Sequence, residues 1–235
     1  MDLIVGAYFA LCTRIGLVLW CLLCTSDSLK YINDWGQAHL DIEVPLKELG
    51  TVAVEALREA VLALPQQAWE DNQQRQQDYD VHRRTESVVL IFTDGSGWPD
   101  ITLTRESGWE LLAALAVPLM EDIIRHHYKP GGTIIRAMAA KLLPGDVITP
   151  HRDSHPSFHH GHRIHVPIKT NPRVRFMIDG RPYKLKVGEA YEINNQKTHS
   201  VMNKGKEERI NFIFDYVPPE LIDSSMSGPT QELTV

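Results

Sequence analysis

The chain has 235 residues, of which 43% are apolar and 23% charged, and this composition indicates a globular protein with a sizeable core. Its formal net charge of −6 argues against a surface that binds phosphate in bulk, so we expect no nucleic-acid partner. All three cysteines lie within the first 24 residues, which excludes a disulfide framework for the rest of the chain and favours the reducing cytoplasm.

Residues 1–24 form an apolar leader whose role the sequence leaves open. Its uninterrupted apolar run covers residues 15–24, which is short for a membrane span, and no A-x-A-like cleavage site follows it. Three interpretations stand: a helix or misassigned start outside the domain, a membrane anchor, and a cleaved signal peptide. We favour the first, so we do not expect the leader to associate with a membrane.

The first half of the chain is predicted to be mainly helical. Residues 46–64 have apolar positions near helical spacing and are followed by Pro65, which predicts an amphipathic helix. Residues 87–94 are β-branched and apolar, which predicts a strand. Residues 109–127 predict a second helix, and Pro118 within it predicts a kink or a break.

The sequence pattern changes at about residue 134, after which short β-branched segments alternate with turn signals. Many short strands with closely spaced turns predict an antiparallel sandwich or barrel. Asp179 and Gly180 lie between two alternating segments and predict a tight hairpin. We therefore expect an α+β domain over residues 25–219, with a barrel core at about 134–217 and a disordered tail over 220–235. A barrel mouth is the usual place for a ligand.

Six of the eleven histidines lie between residues 148 and 168, around an HRD sequence. His151 and Asp153 are two positions apart, so in a strand their side chains would point to the same face. His199 opens a predicted strand far along the chain and supplies a third ligand. Two histidines and one carboxylate are the facial triad of non-haem Fe(II) oxygenases, so these three residues are the predicted metal ligands and catalytic centre.

Arg209 strengthens this interpretation. It lies ten residues after His199 in an otherwise apolar predicted strand, and an arginine inside a barrel needs an anionic partner. The distal carboxylate of 2-oxoglutarate would supply that partner through a bidentate contact. The alternative is that Arg209 faces solvent or pairs with a nearby glutamate.

Three segments carry a family resemblance: KLLPGDVITPHRD, HRIHVPI and GEAYEINNQKTHSVMNKGKEERINFIFDYVPP. Together they resemble the aspartyl/asparaginyl β-hydroxylase family of 2-oxoglutarate-dependent oxygenases, most strongly over residues 134–219. The resemblance implies a double-stranded β-helix of the jelly-roll or cupin type, with Fe(II), 2-oxoglutarate and O2 as cofactor and co-substrates. It implies that His151 and His199 bind iron and that Arg209 binds 2-oxoglutarate. It also implies that Arg163 and His165 lie at the co-substrate carboxylates.

The chain departs from the best-known animal members of that family at Asp153. Those members have glycine two residues after the first histidine and bind iron through two histidines, whereas this chain keeps a carboxylate. In this respect it is similar to bacterial hydroxylases of free amino acids. The resemblance therefore predicts a dioxygenase that hydroxylates an amino acid, free or within a peptide or protein, and the departure weighs against the peptide.

Two other functions fit part of the pattern. A cupin-type metalloenzyme without 2-oxoglutarate fits the spacing of Gly145 to His151 and of His199 to Asn203, but it has no need of Arg209. A binding barrel without turnover would not need intact metal ligands. The remaining histidines between the two motif segments are predicted to belong mostly to a solvated loop, with a smaller part in contact with substrate: His155, His159, His160 and His162.

Overall fold

The computed structural model describes residues 31–32, 38–40, 42–71, 85–94, 97–99 and 101–222. The apolar leader and the tail from residue 223 onward lie outside the described residues, so their predictions are untested. Among the residues that are described, no helix has both the length and the apolar character that a membrane crossing requires.

The described chain contains three α-helices and thirteen strands. The helices are α1 Glu55–Leu62, α2 Gln66–Glu70 and α3 Gly108–His127. The strands are β1 Tyr31–Ile32, β2 Ala38–His39, β3 Leu46–Thr51, β4 Thr85–Asp94, β5 Thr102–Arg105, β6 Thr133–Leu142, β7 Val147–His151, β8 His162–Lys169, β9 Val174–Ile178, β10 Arg181–Tyr183, β11 Glu189–Ile193, β12 His199–Asn203 and β13 Arg209–Val217.

Two antiparallel sheets make up the barrel. The larger has seven strands in the order β3-β11-β8-β13-β6-β4-β5, and the smaller has four in the order β10-β9-β12-β7. From β6 to β13 the chain alternates between the sheets, with β6, β8, β11 and β13 in the larger and β7, β9, β10 and β12 in the smaller. This topology is a double-stranded β-helix, and with the helices beside it the predicted α+β fold is confirmed.

The main core lies on one face of the larger sheet, against the helices. Alternate residues of β13, namely Phe212, Phe214 and Tyr216, are buried there, because successive side chains of a strand point to opposite faces. From α3, Leu112, Met120 and Ile124 join the same cluster. The other face of the sheet is directed toward the smaller sheet, where Leu142 and Ile193 pack with Phe176, Ile178 and Val201.

The hairpin prediction at Asp179 and Gly180 is confirmed. These residues connect β9 to β10, with Arg181 paired to Ile178. Their φ angles are +52° and +75°, as a two-residue type I′ turn requires at both central positions.

The prediction of one helix over residues 46–64 is wrong in its first part. Leu46–Thr51 forms β3, which pairs with β11 at the edge of the larger sheet, and the helix is confined to Glu55–Leu62. The apolar spacing of residues 46–51 is compatible with either structure, and pairing with a distant strand decides between them. Gly50, at φ +91°, takes a conformation that lies outside the helical region.

The predicted break at Pro118 does not occur, since α3 continues from Gly108 to His127. Pro118 and Ala114 are both exposed, so the carbonyl that loses its helical partner faces solvent. At the other end of the domain, Pro219–Leu221 forms a short 3₁₀ helix whose Leu221 is buried in the main core.

Candidate metal centre and its surroundings

The two predicted metal-binding histidines are neighbours in the smaller sheet. His151 ends β7 and His199 begins β12, and their Cα atoms are partners in the antiparallel pairing of these strands. Their imidazole rings have centroids 4.3 Å apart. Residues far apart in sequence therefore meet because β7 and β12 pair along their length.

Asp153 lies beyond the end of β7, so the expectation that it shares a strand face with His151 is wrong. Its backbone N–H donates to the carbonyl of Asn195 at 3.2 Å, which fixes the segment against the approach to β12. Its Oδ1 lies 3.8 Å from Nε2 of His151 and 3.9 Å from Nε2 of His199.

The three ligand atoms all lie within 4.8 Å of one another, and no other group of His, Cys, Asp or Glu in the described part of the chain meets this criterion. Nδ1 of His151 lies 2.7 Å from the carbonyl of Thr149, and Nδ1 of His199 lies 3.0 Å from that of Lys197. A carbonyl only accepts, so each Nδ1 carries the proton and each Nε2 presents a lone pair.

The electrostatics of the site also suit a metal ion. Burial lowers the pKa of His199, more than the nearby Asp153 carboxylate raises it, so its imidazole stays neutral near pH 7. Two imidazoles and one carboxylate are a donor set that Fe(II) accepts, with positions left for other ligands. The residues present therefore fit an iron ion, which His151, Asp153 and His199 would hold.

Arg163 lies on β8 beside this group. Its Nη1 donates to both oxygens of Asp215, at 3.0 and 2.9 Å, and its Nε lies 3.4 Å from Oδ2 of Asp153. Burial would lower the pKa of Arg163, but the carboxylates of Asp215 and Asp153 outweigh that effect and raise it. The structure thus places Arg163 between two carboxylates.

His165 is two residues further along β8 and points to the same side. Nδ2 of Asn211 donates to its Nδ1 at 3.1 Å, which leaves the ring proton on Nε2. The ring meets Phe176 edge-on at 5.8 Å between centroids. His165 is therefore held in one orientation within the barrel.

Arg209 begins β13 and is only 4% exposed. Its guanidinium carbon lies 5.8 Å from the ring centroid of Phe176. One cavity is lined by all six predicted site residues: His151, Asp153, Arg163, His165, His199 and Arg209. An adjoining cavity of about 340 Å³ shares Arg209 and Phe176 with it, so this arginine borders both spaces.

The loop histidines are not all solvated, which corrects that prediction for two of them. His160 is buried and its ring stacks on Trp98 with centroids 4.5 Å apart. His162 is buried at the start of β8, with Nδ1 2.5 Å from Oε1 of Glu192. Nδ1 of His155 accepts from the backbone N–H of Ser157. These contacts organise the loop between the motif strands.

Two residues outside the predicted site, Asp215 and Asn203, also contribute to the structure around it. Asp215 was not singled out from the sequence, although Arg209, Asn211 and Asp215 lie on one face of β13, interrupted only by Ile213, and this polar pattern was the available signal. Asn203, which the cupin spacing highlights, donates from Nδ2 to the carbonyls of Leu142 and Glu207. Its side chain therefore supports the turn before β13.

A double-stranded β-helix with two imidazoles and a carboxylate converging in its cavity defines the class of metal-centred barrels. A sequence profile described as Aspartyl/Asparaginyl beta-hydroxylase matches residues 51–219, more than half of the chain. The protein belongs to this family, and its fold and activity class are those of a hydroxylase, an oxidoreductase. No curated protein matches the chain in sequence.

Solved structures with a similar fold include oxygenases. The chain resembles the non-haem monooxygenase ThoJ in complex with nickel (14% identity, 74% of each chain, TM-score 0.48). It also resembles the viral collagen prolyl hydroxylase of Paramecium bursaria Chlorella virus-1 in complex with 2-oxoglutarate (10% identity, 75% of this chain and 97% of that chain, TM-score 0.45). A third is a 2OG-Fe(II) oxygenase family oxidoreductase from Burkholderia pseudomallei (13% identity, 58% and 69%, TM-score 0.44).

Proposed function

We propose that the protein is an Fe(II)- and 2-oxoglutarate-dependent dioxygenase. It hydroxylates an amino acid, or an amino-acid side chain within a peptide or protein, and releases succinate and CO2. One observation carries this proposal: Nε2 of His151, Nε2 of His199 and Oδ1 of Asp153 converge in the cavity that Arg209 borders.

The protein's own contribution is a preorganised site. His151 and His199 are oriented by backbone carbonyls, and Asp153 brings the negative charge that a divalent cation requires. When bound, the iron and its keto-acid co-substrate supply the oxidising chemistry that inserts oxygen from O2 into a C–H bond.

Arg209 is the proposed anchor for the co-substrate. An anionic partner stabilises a guanidinium that is only 4% exposed. A carboxylate is well suited to this role, because it can accept two parallel hydrogen bonds from the guanidinium. This contact would fix one end of 2-oxoglutarate while its other end is directed toward the triad. The cupin alternative without 2-oxoglutarate gives no role to a buried arginine in this cavity.

An anaerobic titration tests the metal and the co-substrate together. Fe(II) is added to the protein, followed by 2-oxoglutarate, and we expect a weak visible charge-transfer band that develops only when both are present. Iron shown to be bound without any such band would remove the co-substrate from the proposal and favour a cupin-type enzyme.

The substrate class needs a separate measurement. Free amino acids and short peptides are screened for stimulation of succinate release, and we expect a substrate of one of these classes to raise the rate above the uncoupled level. Because Asp153 is similar to the carboxylate of free-amino-acid hydroxylases, the free amino acids are the first set. Stimulation by neither class would contradict hydroxylation of amino acids.

A further inference from the structure

We infer that Asp215 is a positioning residue for the metal centre. It holds the guanidinium of Arg163 so that Arg163 engages one oxygen of Asp153 and leaves the other, Oδ1, as the single carboxylate ligand atom. This inference rests on the proposed metal-binding role of the triad, and it assigns Arg163 to the metal side of the site rather than to the co-substrate.

The contacts of Asp153 distinguish its two oxygens. Oδ1 is the atom 3.8 and 3.9 Å from the two histidine Nε2 atoms. Oδ2 lies 3.4 Å from Nε of Arg163. This ion pair favours Oδ1 as the single donor to a metal, which would keep one more coordination position available than a bidentate carboxylate would.

Arg163 in turn is fixed by Asp215. Nη1 of Arg163 donates to both Asp215 oxygens, and Asp215 is only 1% exposed. In the sheet, Asp215 on β13 is the register partner of both Arg163 on β8 and Arg136 on β6. The three charged side chains therefore lie side by side on the face of the larger sheet that is opposite the main core.

Arg136 and Phe158 complete the arrangement. Nη1 of Arg136 lies 3.4 Å from Oδ2 of Asp215. The ring of Phe158 packs against both guanidiniums, with its centroid 4.4 Å from the central carbon of Arg136 and 4.9 Å from that of Arg163. Cation–π contacts of this kind hold planar guanidiniums in place, so the orientation of Arg163 is determined on two sides.

The negative charge of Asp215 favours binding of a cation that Asp215 does not itself contact. Asp153 and Asp215 contribute two negative charges, which balance the positive charges of Arg163 and Arg136. Without Asp215, two buried guanidiniums would face one carboxylate, and the excess positive charge would oppose a divalent ion across a medium that screens weakly. Asp215 therefore both orients Asp153 and permits a cation beside Arg163.

The test compares Asp215→Asn with Glu192→Gln. Both remove the charge of a buried carboxylate in the larger sheet. Glu192, however, is the register partner of Ile164, whereas its neighbour Ile193 is the partner of Arg163, so Glu192 lies on the opposite face. Co(II) is the probe, because it is stable in air and its binding can be followed by calorimetry and by visible absorption.

We expect Asp215→Asn to weaken Co(II) binding about 10- to 100-fold, as the loss of a partner behind a metal ligand does, and to change the visible Co(II) spectrum. Glu192→Gln should leave Co(II) affinity within about two-fold. Asp215→Glu should restore most of the affinity, because the charge returns. The affinity for 2-oxoglutarate, measured at saturating Co(II), should fall less than the Co(II) affinity in Asp215→Asn.

Other outcomes are decisive as well. Unchanged Co(II) binding together with weakened 2-oxoglutarate binding in Asp215→Asn would overturn the inference and return Arg163 to the co-substrate. Failure of the wild-type protein to bind Co(II) would instead refute the proposed metal site itself. If circular dichroism shows Asp215→Asn unfolded, Arg163→Lys tests the same contact: it keeps the charge but not the planar fork, and the same loss of Co(II) affinity is expected.

Discussion

Along β13 the two faces of the larger sheet carry different kinds of side chain, although one strand builds both. On the face toward the helices, β13 contributes Phe212, Phe214 and Tyr216 to the main core. On the opposite face, the same strand contributes Arg209 to the cavity and Asp215 to a buried ion-pair group. One face supplies the burial that stabilises the domain, while the other supplies charges whose desolvation opposes folding.

This difference shows how a small domain can carry a group of buried charges. The face toward the helices supplies most of the apolar core, so positions on the other face, beside the smaller apolar cluster of Leu142 and Ile193, are available for side chains selected for chemistry rather than packing. We therefore expect substitutions on the two faces to have separable effects. Changes on the polar face should reduce metal or co-substrate binding with the fold intact, and changes on the apolar face should do the reverse.

The largest effect is expected from His199→Ala, which removes a proposed metal ligand. Substrate-stimulated succinate formation should fall roughly a thousand-fold or more, equivalent to about 4 kcal/mol at 1.4 kcal/mol per factor of ten. The thermal transition, followed by circular dichroism without metal, should be retained. Activity near the wild-type level in a metal-replete assay would refute the role of His199.

Phe212→Ala tests the apolar face of the larger sheet, where we expect a loss of stability without a loss of metal affinity. Truncation of a fully buried phenylalanine should lower the free energy of unfolding by about 3–5 kcal/mol, measured by urea denaturation of the metal-free protein. The folded fraction should bind Co(II) within about two-fold of wild type. A specific loss of metal affinity, with stability unchanged, would show that the two faces are not independent.

Arg209→Ala should raise the 2-oxoglutarate concentration needed for half-maximal activity about 10- to 100-fold, because a charged hydrogen-bonding partner is lost. Metal affinity should change less than about three-fold. Arg175→Ala, at an exposed arginine on β9, is the matched control and should change neither. Equal losses of metal and co-substrate affinity in Arg209→Ala would indicate misfolding instead.

The smallest effect concerns Glu192 and pH. Burial would raise the pKa of Glu192, but the hydrogen bond and charge of His162, together with the charge of Lys47 and the hydrogen bond from Tyr128, outweigh burial and lower the pKa. The folded carboxylate thus releases its proton more readily than the unfolded one, whose pKa is about 4.3. Its stabilising contribution is present above that value and is lost as the pH falls through the lower folded pKa.

Urea denaturation across a pH series checks this. The difference in unfolding free energy between wild type and Glu192→Gln should be about 1–3 kcal/mol at neutral pH and should shrink as the pH falls below about 4. A difference that does not depend on pH would mean that packing, rather than the charge of Glu192, accounts for it.

The strands that follow residue 134 could be predicted because each has a local signature, and the turn at Asp179 and Gly180 fixed one pairing in advance. The strand over Leu46–Thr51 could not, because its pairing with β11 joins segments far apart in sequence and its own residues are also compatible with a helix. Local patterns report local structure, whereas edge pairing depends on the finished sheet.

The candidate site could likewise be predicted from sequence only in part. His151, Asp153 and His199 were identifiable from their residue types and spacing, yet the route by which Asp153 reaches the histidines, through a backbone contact to Asn195, has no sequence signature. The role of Asp215 depends on its position opposite Arg163 across two paired strands. A register of this kind becomes known only when the strands are aligned.

The carbonyls that fix the two metal-site imidazoles have a consequence for how the sequence can change. Each imidazole is held by the main chain two positions earlier, at Thr149 and Lys197. Every amino acid carries that carbonyl. Substitutions at these two positions can therefore leave the proton of each imidazole on Nδ1. An essential contact can thus persist between distant relatives even when their aligned sequences differ at the residue that provides it.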